Sequence, residues 1–260
     1  MSSQWQNFLR NLGEWRGSFA SMDTNGAIQE TTASILTLEA AEEGRLVHFR
    51  LRRFADGDIN GTPCRDHSED YRSLGRQVVF FASGSFCKGT LQVAPGTAFG
   101  GEFGFVDGDR RHRLVQLHGS DGLFSGLVLI REFRAGSEAI EQPPLQTSQL
   151  QGEWHGEADT ITADWPEPDR AEACLRVVPS AAGDLSLIAT IAGQSVPGEG
   201  SLLLLPDAGY HLSPRQVSHR QPFSVQAGWL PEPDRLECLI RRFDGSGAWQ
   251  SSTQLRLRRG

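Results

Sequence analysis

The chain has 260 residues, 38% hydrophobic and 22% charged, with a formal net charge of −7. That length exceeds one barrel core and suits two units of about 120–140 residues, with enough apolar content to fill them. The acidic balance disfavours nonspecific binding to nucleic acid or anionic membrane, and no run approaches the ~20 apolar residues that span a bilayer.

The first element is a helix within the first dozen residues. Trp5, Phe8, Leu9 and Leu12 fall at i, i+3, i+4 and i+7, one apolar stripe. Ser2 or Ser3 caps its start, and Gly13 ends it in a left-handed turn. This amino terminus has no basic segment leading into an uninterrupted apolar stretch, so no secretory signal is read and a cytoplasmic protein is expected. Cys64, Cys87, Cys174 and Cys238 form no C-x-x-C pairs and are expected to be free thiols of a reducing compartment. Lys88 is the single lysine, a bias that a GC-rich genome produces without functional cause.

After Gly13 the period changes. Short stretches rich in Val, Ile, Leu, Phe and Thr alternate with Gly, Asp, Asn and Pro turns, as consecutive antiparallel strands do. Roughly eight are predicted in the first half, near 15–20, 28–38, 45–54, 77–83, 86–93, 99–106, 111–118 and 125–134. Turns are placed at Asp23–Gly26, Asp107–Asp109 and Ser120–Gly122. Residues 56–74, polar and containing Gly57, Gly61 and Pro63, read as a long loop of the lid or binding kind.

A linker follows at 135–149, AGSEAIEQPPLQTSQ, with a Pro-Pro pair and little apolar periodicity. It separates an N-terminal barrel over 1–138 from a C-terminal barrel over 145–260. Beyond it the pattern restarts: Leu12-Gly13-Glu14-Trp15-Arg16-Gly17 recurs as Gly152-Glu153-Trp154-His155-Gly156. Late in each half stands an arginine-bearing apolar strand, Leu129–Phe133 and either Leu239–Phe243 or Thr253–Arg258. Pro166–Arg170 and Pro231–Arg235 echo each other as proline-rigid turns. The expected fold is therefore all-β: two tandem lipocalin-like, antiparallel up-and-down barrels behind a short N-terminal helix.

A barrel of about eight strands needs a plug at its closed end, and a tryptophan on the first strand supplies one. An arginine on the last strand can stack on the indole, worth ~0.5–2 kcal/mol. Gly13 and Trp15 with Arg131, and Gly152 and Trp154 with one of Arg241, Arg256 or Arg258, fit this scheme twice.

The G-x-W start and the late arginine strand resemble the calycin superfamily, which includes lipocalins and fatty-acid-binding proteins. More specifically, the chain resembles the cyanobacterial and plastid family DUF3598. The residues that carry this resemblance are Gln4–Leu9 running into Leu12–Trp15, Gly84–Gly89 continuing to Gln92–Pro95, and Phe99–Gly104 followed by Arg113–Leu117. That family is similar in fold to the phycobiliprotein lyases, single barrels that deliver a linear tetrapyrrole to an antenna protein. The resemblance implies two calycin barrels and leaves lyase activity open.

The common catalytic signatures are missing: no H-E-x-x-H, no G-x-S-x-G, no G-x-G-x-x-G. His112 and His118, six apart on a strand, stand ~20 Å from each other and share no metal, so no metal site is expected. The alternating polar rows are more informative. His48, Arg50 and Arg52 share one strand face; Arg111 and Arg113 share another. An inward basic row would suit an apolar ligand with carboxylate tails, whereas an outward row would be solvated surface. Glu102 lies opposite Phe103 and Phe105 on its strand; facing inward it would have a raised pKa and could serve as a weak catalytic candidate, or it could partner Arg113. Ligand contacts are accordingly placed at His48, Arg50, Arg52, Glu102 and Arg113. The expected function is non-enzymatic carriage of an amphipathic carboxylate, a noncovalent bilin or fatty acid, with a phycobiliprotein as possible recipient. The alternatives are a lyase-like or isomerase enzyme using the pocket, and a scaffold with filled barrels. Of the two halves, the first, with its longer loop and denser Phe/Arg pattern, is expected to hold any pocket.

Overall fold

The computed structural model describes residues 3–165, 167–180, 185–198 and 200–260. Ser3 caps helix α1, Gln4–Phe8, in a capping box with Gln6, and a 3-10 turn over Leu9–Asn11 leads to the first strand. Ser2, the other serine considered as a cap, lies outside the described residues, as does Pro166 of the first proline turn. Gly13 makes the corner at φ +122°, a conformation that side chains rarely adopt.

Nine strands follow: β1 Gly13–Met22, β2 Ile28–Ala41, β3 Leu46–Phe54, β4 Arg65–Tyr71, β5 Val78–Phe80, β6 Phe86–Gly89, β7 Phe99–Asp107, β8 Arg110–His118 and β9 Phe124–Arg134. All pair antiparallel in the order β4-β3-β2-β1-β9-β8-β7-β6-β5. Pairing of the first strand with the last curls the meander into a barrel whose seam lies between β4 and β5. The strand β4 corrects the expectation of a continuous loop over 56–74. Its sequence, RDHSEDY, is polar on both faces because it is an edge strand at the seam, so no apolar alternation marks it.

The second half repeats the plan. After the one-turn helix α2, Thr147–Leu150, come β10 Gly152–Thr162, β11 Asp169–Pro179, β12 Leu185–Ile191, β13 Gln194–Pro197, β14 Ser201–Leu204, β15 Gly209–Ser213, β16 Phe223–Glu232, β17 Arg235–Phe243 and β18 Trp249–Arg259. Their order is β13-β12-β11-β10-β18-β17-β16-β15-β14, with β18 zipped to β10 as β9 is to β1. Of the two segments proposed as the final strand, Thr253–Arg258 lies in β18, and Leu239–Phe243 belongs to β17, the counterpart of β8.

The two tryptophans stand in equivalent places in their barrels. Trp15 and Trp154 are fully buried, and each indole N–H donates to a carbonyl four residues upstream, Asn11 at 2.9 Å and Leu150 at 2.8 Å. Their arginines differ from those expected. The guanidinium of Arg134 lies 4.3 Å from the Trp15 ring centroid and that of Arg259 lies 4.2 Å from Trp154. Both are the direct cross-strand partners of the tryptophans, and both also donate to backbone carbonyls, of Leu12 and Gln151. Arg131 is three residues from Arg134, so it points to the opposite face, where it binds Ser18 and Glu141. The same parity sets Arg256 and Arg258 away from Trp154, toward Asp159 and Asp234, and Arg241 stands on the neighbouring strand.

Alternation decides what each barrel does with its other face. On β7, Phe99, Phe103 and Phe105 point out of the first barrel, and with Leu114 and Leu129 they pack against Phe223, Val225, Trp229, Leu239 and Phe243 of the second. The two halves therefore share a core between them, in addition to one inside each barrel. Ion pairs Asp107–Arg235 at 2.6 Å and Arg110–Asp207 at 2.8 Å cross the same boundary. Among the described residues, no helix is long and apolar enough to cross a membrane.

Candidate functional site

Because Phe103 and Phe105 face the partner barrel, Glu102 between Gly101 and Phe103 faces inward, and so do Arg111, Arg113 and Val115 on the adjacent β8. They line a cavity of about 360 Å³ inside the first barrel. Its walls are apolar: Phe19, Leu36, Leu38, Phe49, Leu51, Phe80, Phe86 and Ile130. Its mouth lies at the seam, where Tyr71 of β4 and Val78 of β5 flank the connecting residues Ser73, Leu74, Gly75 and Gln77.

The polar part of the cavity is a four-membered ion-pair cluster. Glu132 of β9, directly opposite Arg111, accepts from Arg111 Nε at 2.7 Å and from Arg113 Nε and Nη2 at 2.9 and 3.0 Å. Arg113 Nη1 donates to Glu102 at 2.7 Å. Arg113 thus has a partner at each of its nitrogens. Arg111 does not: its Nη1 reaches Asn11 Oδ1 at a long 3.5 Å, and its Nη2 has no partner among the described residues. The Arg111 guanidinium is 3% exposed and lies 4.6 Å from the Trp15 centroid, on the plug of the barrel.

Electrostatics distinguish the members. Burial would raise the Glu132 carboxyl, but the two guanidiniums outweigh it and hold the group below the usual carboxylate range. Burial works against charge on Arg113 too, and Glu132 with Glu102 more than offset it, so its pKa rises. For Arg111, burial and repulsion by Arg113 win over the attraction of Glu132, and its pKa falls. Arg111 is the under-compensated charge of the cluster.

The second barrel shows what the fold needs at these positions. Leu236 and Leu257 occupy the register of Arg111 and Glu132, and Cys238 occupies that of Arg113. All three are buried in the interior core with Val177, Tyr210 and Ile240, and Tyr210 donates to Cys238 Sγ at 3.0 Å. An apolar filling therefore satisfies the architecture, and the charged set is peculiar to the first half.

The other expected contacts fall outside. His48 and Arg50 stand half-exposed on the outer face of β3, paired with Asp70 at 2.7 Å and Asp66 at 2.6 Å on β4, and Arg52 shares their face. The inward positions of β3 are Phe49 and Leu51. This corrects the placement of His48, Arg50 and Arg52 in the ligand site: β3 turns its apolar residues inward, and its basic row is solvated surface of the ordinary kind. Glu132, not among the residues the sequence singles out, carries one signal there: it is a carboxylate two residues from Ile130 in an apolar strand. Lys88, opposite Glu102 in the β6–β7 ladder, also lines the cavity. Among the described residues, no group of three or more His, Cys, Asp or Glu side chains converges as a metal site would.

Comparison with known proteins adds the family. Residues 1–137 match the N-terminal domain of DUF3598, a domain of unknown function. A crystal structure of a DUF3598 protein from Nostoc punctiforme is 36% identical over 100% of both chains, with a TM-score of 0.89. The chain belongs to the DUF3598 family. Residues 141–259 match a domain described as the C-terminal domain of biogenesis factor required for ATP synthase 1. A protein from Bacteroides fragilis, provisionally named an outer membrane protein, aligns over 100% of both chains at 8% identity, but its TM-score of 0.32 carries no argument. None of the curated proteins matches. Within this DUF3598 chain, the cavity and its charged cluster lie wholly in the part that matches the DUF3598 N-terminal domain.

Proposed function

We propose that the first barrel is a binding site for a small amphipathic carboxylate, carried without being turned over. The observation that carries this reading is the contrast between halves: an apolar cavity with buried arginines in one, leucines filling the same positions in the other. Burying an ion-pair cluster where hydrophobic side chains suffice is costly to stability, and functional sites are where such costs are met. The cavity volume of about 360 Å³ falls at the lower end of the range that holds ligands. Glu102 accepts from Arg113, which favours its role as that arginine's partner over that of a proton donor in a lyase or isomerase.

The test uses the full chain with the double substitution Arg111→Leu and Glu132→Leu, which transplants the residue types of the second barrel. Calorimetric titration with a fatty acid and, separately, with a linear tetrapyrrole should give saturable one-to-one binding to the native chain and none to the variant. No saturable binding of either class would reject the reading. Saturation by the tetrapyrrole would make a phycobiliprotein the natural recipient.

A second reading draws on the C-terminal half. Its match to the ATP synthase biogenesis factor, together with a filled interior, supports a protein that acts through its surface in assembling ATP synthase. Cells that lack the chain and keep a full complement of assembled ATP synthase would exclude it.

A further inference from the structure

Resting on the cavity reading above, we infer that the ligand carries a single carboxylate and binds head first, its charge on Arg111 at the plugged end and its apolar body directed to the seam between β4 and β5.

Three observations lead there. First, donors: in a buried cluster whose other nitrogens are taken, Arg111 keeps Nη2 without a partner and Nη1 on a stretched 3.5 Å contact. A buried guanidinium left so costs free energy that an acceptor on the ligand would recover. A carboxylate is the acceptor that meets adjacent guanidinium nitrogens in the strongest geometry. Second, charge: Arg111 and Arg113 are balanced by Glu132 and Glu102, so the floor is neutral as it stands. Lys88, on the cavity wall opposite Glu102, is the one further cation of the lining. Lys88 is exposed, so it balances one added negative charge over the lining as a whole and not at the floor; a second would lie unmatched beside two glutamates. This disfavours a dicarboxylate, including a bilin with two propionates. Third, direction: Arg111 stacks on Trp15 and contacts Asn11, next to the helix that closes this end, whereas the apolar walls Phe49, Leu51 and Val78 run to the open seam. The adjoining space across Phe19, Val115 and Ile130 is edged instead by Glu30, Thr32 and Arg53, which suits an apolar body less well.

The test is a head-group series on the full chain, read by titration calorimetry: dodecanoate, dodecanol and decylmalonate, whose two carboxylates share one head. Dodecanoate is expected to bind at least tenfold more tightly than either of the others. Arg111→Gln should remove that preference while dodecanol binds within about twofold of its native affinity. Equal binding of acid and alcohol would overturn the inference and leave the cavity reading standing; binding of none of the three would overturn both. A measurement on the native chain guards against a variant that does not fold. With carboxyl-¹³C dodecanoate bound, the carboxyl resonance should stay in its ionised position well below the pH at which free dodecanoate titrates. Titration at the free value would place the head in water at the seam and sink the proposal.

Discussion

At Gly17 and Gly156 the first strand of each barrel passes almost against the backbone of the last. A Cβ on Gly17 would lie 1.8 Å from the Arg131 carbonyl oxygen, and one on Gly156 would lie 2.0 Å from that of Arg256. The obstacle is backbone within the zipped pair, so it cannot swing aside. Gly17→Ala and Gly156→Ala should each destabilise by about 3 kcal/mol or more, at the upper end of overpacking costs, measured by urea denaturation. Gly57→Ala, with open space around it and only its φ of +81° to strain, should cost about 1 kcal/mol. Glu237 is a different case. It sits at the junction of the barrels, accepts from Gln254 at 3.2 Å and Ser85 at 3.4 Å, and burial pushes its pKa up to about 7. An acid whose folded pKa is raised holds its proton longer in the native than in the unfolded state. Stability therefore falls as pH rises from about 4.5 to 7 and is level above. Glu237→Gln should be more stable than the native chain at pH 8, by on the order of 3 kcal/mol, and about equal to it at pH 4. A gap that does not close on acidification would refute this.

Among the elements, those legible in the sequence are the ones whose two faces differ. The N-terminal helix, β7 with its phenylalanines and β8 with its arginine row all carry a pattern that sorts their side chains into faces, setting Glu102 opposite the phenylalanines and Arg111 beside Arg113, while leaving open which face is inside. Where the faces resemble each other, the pattern is silent. The strand β4 is polar on both sides, and β3 offers arginines to both, Arg50 and Arg52 outward and Arg53 toward Phe19, so composition could not say which row was inside. The arginines that meet the tryptophans are ambiguous in the sequence for a related reason. With Arg131 and Arg134 in one strand, only the register with β1 tells which meets Trp15. Helix α1 also does something its amphipathic stripe did not reveal: it pins the edge of the sheet. Asn7 donates to Phe80 O at 3.0 Å, Asn11 donates to Gly84 O at 2.9 Å, and the Phe80 N–H donates to Gln4 at 2.7 Å. Because β5 is three residues long and paired on one side only, these bonds are much of what holds it. Asn7→Ala with Asn11→Ala should raise amide exchange across Val78–Phe86 while β1 and β2 keep their protection. Uniform loss across the sheet would mean that the helix stabilises the whole barrel instead.

For the whole molecule, the shared core makes the two barrels one folding unit. Phe99, Phe103, Phe105, Phe223, Trp229 and Phe243 are all buried between them and would be exposed by separation. Arg241 adds to this coupling: a buried guanidinium on β17 that donates to the Thr90 carbonyl at 2.9 Å, its pKa lowered to about 10 chiefly by burial. The full chain should unfold in a single transition, with coincident fluorescence and circular dichroism curves. Residues 1–137 produced alone should aggregate or bind hydrophobic dyes strongly. Two separate transitions would show that the interface contributes little.

The pairing of a hollow barrel with a filled one also makes the molecule mechanically lopsided. Hydrostatic pressure acts on internal void volume, and one lobe holds a cavity where the other holds leucines. Compression should therefore be felt first around Phe19, Leu36 and Ile130, with the surroundings of Trp154 nearly unmoved, and a guest that occupies the void should even out the response.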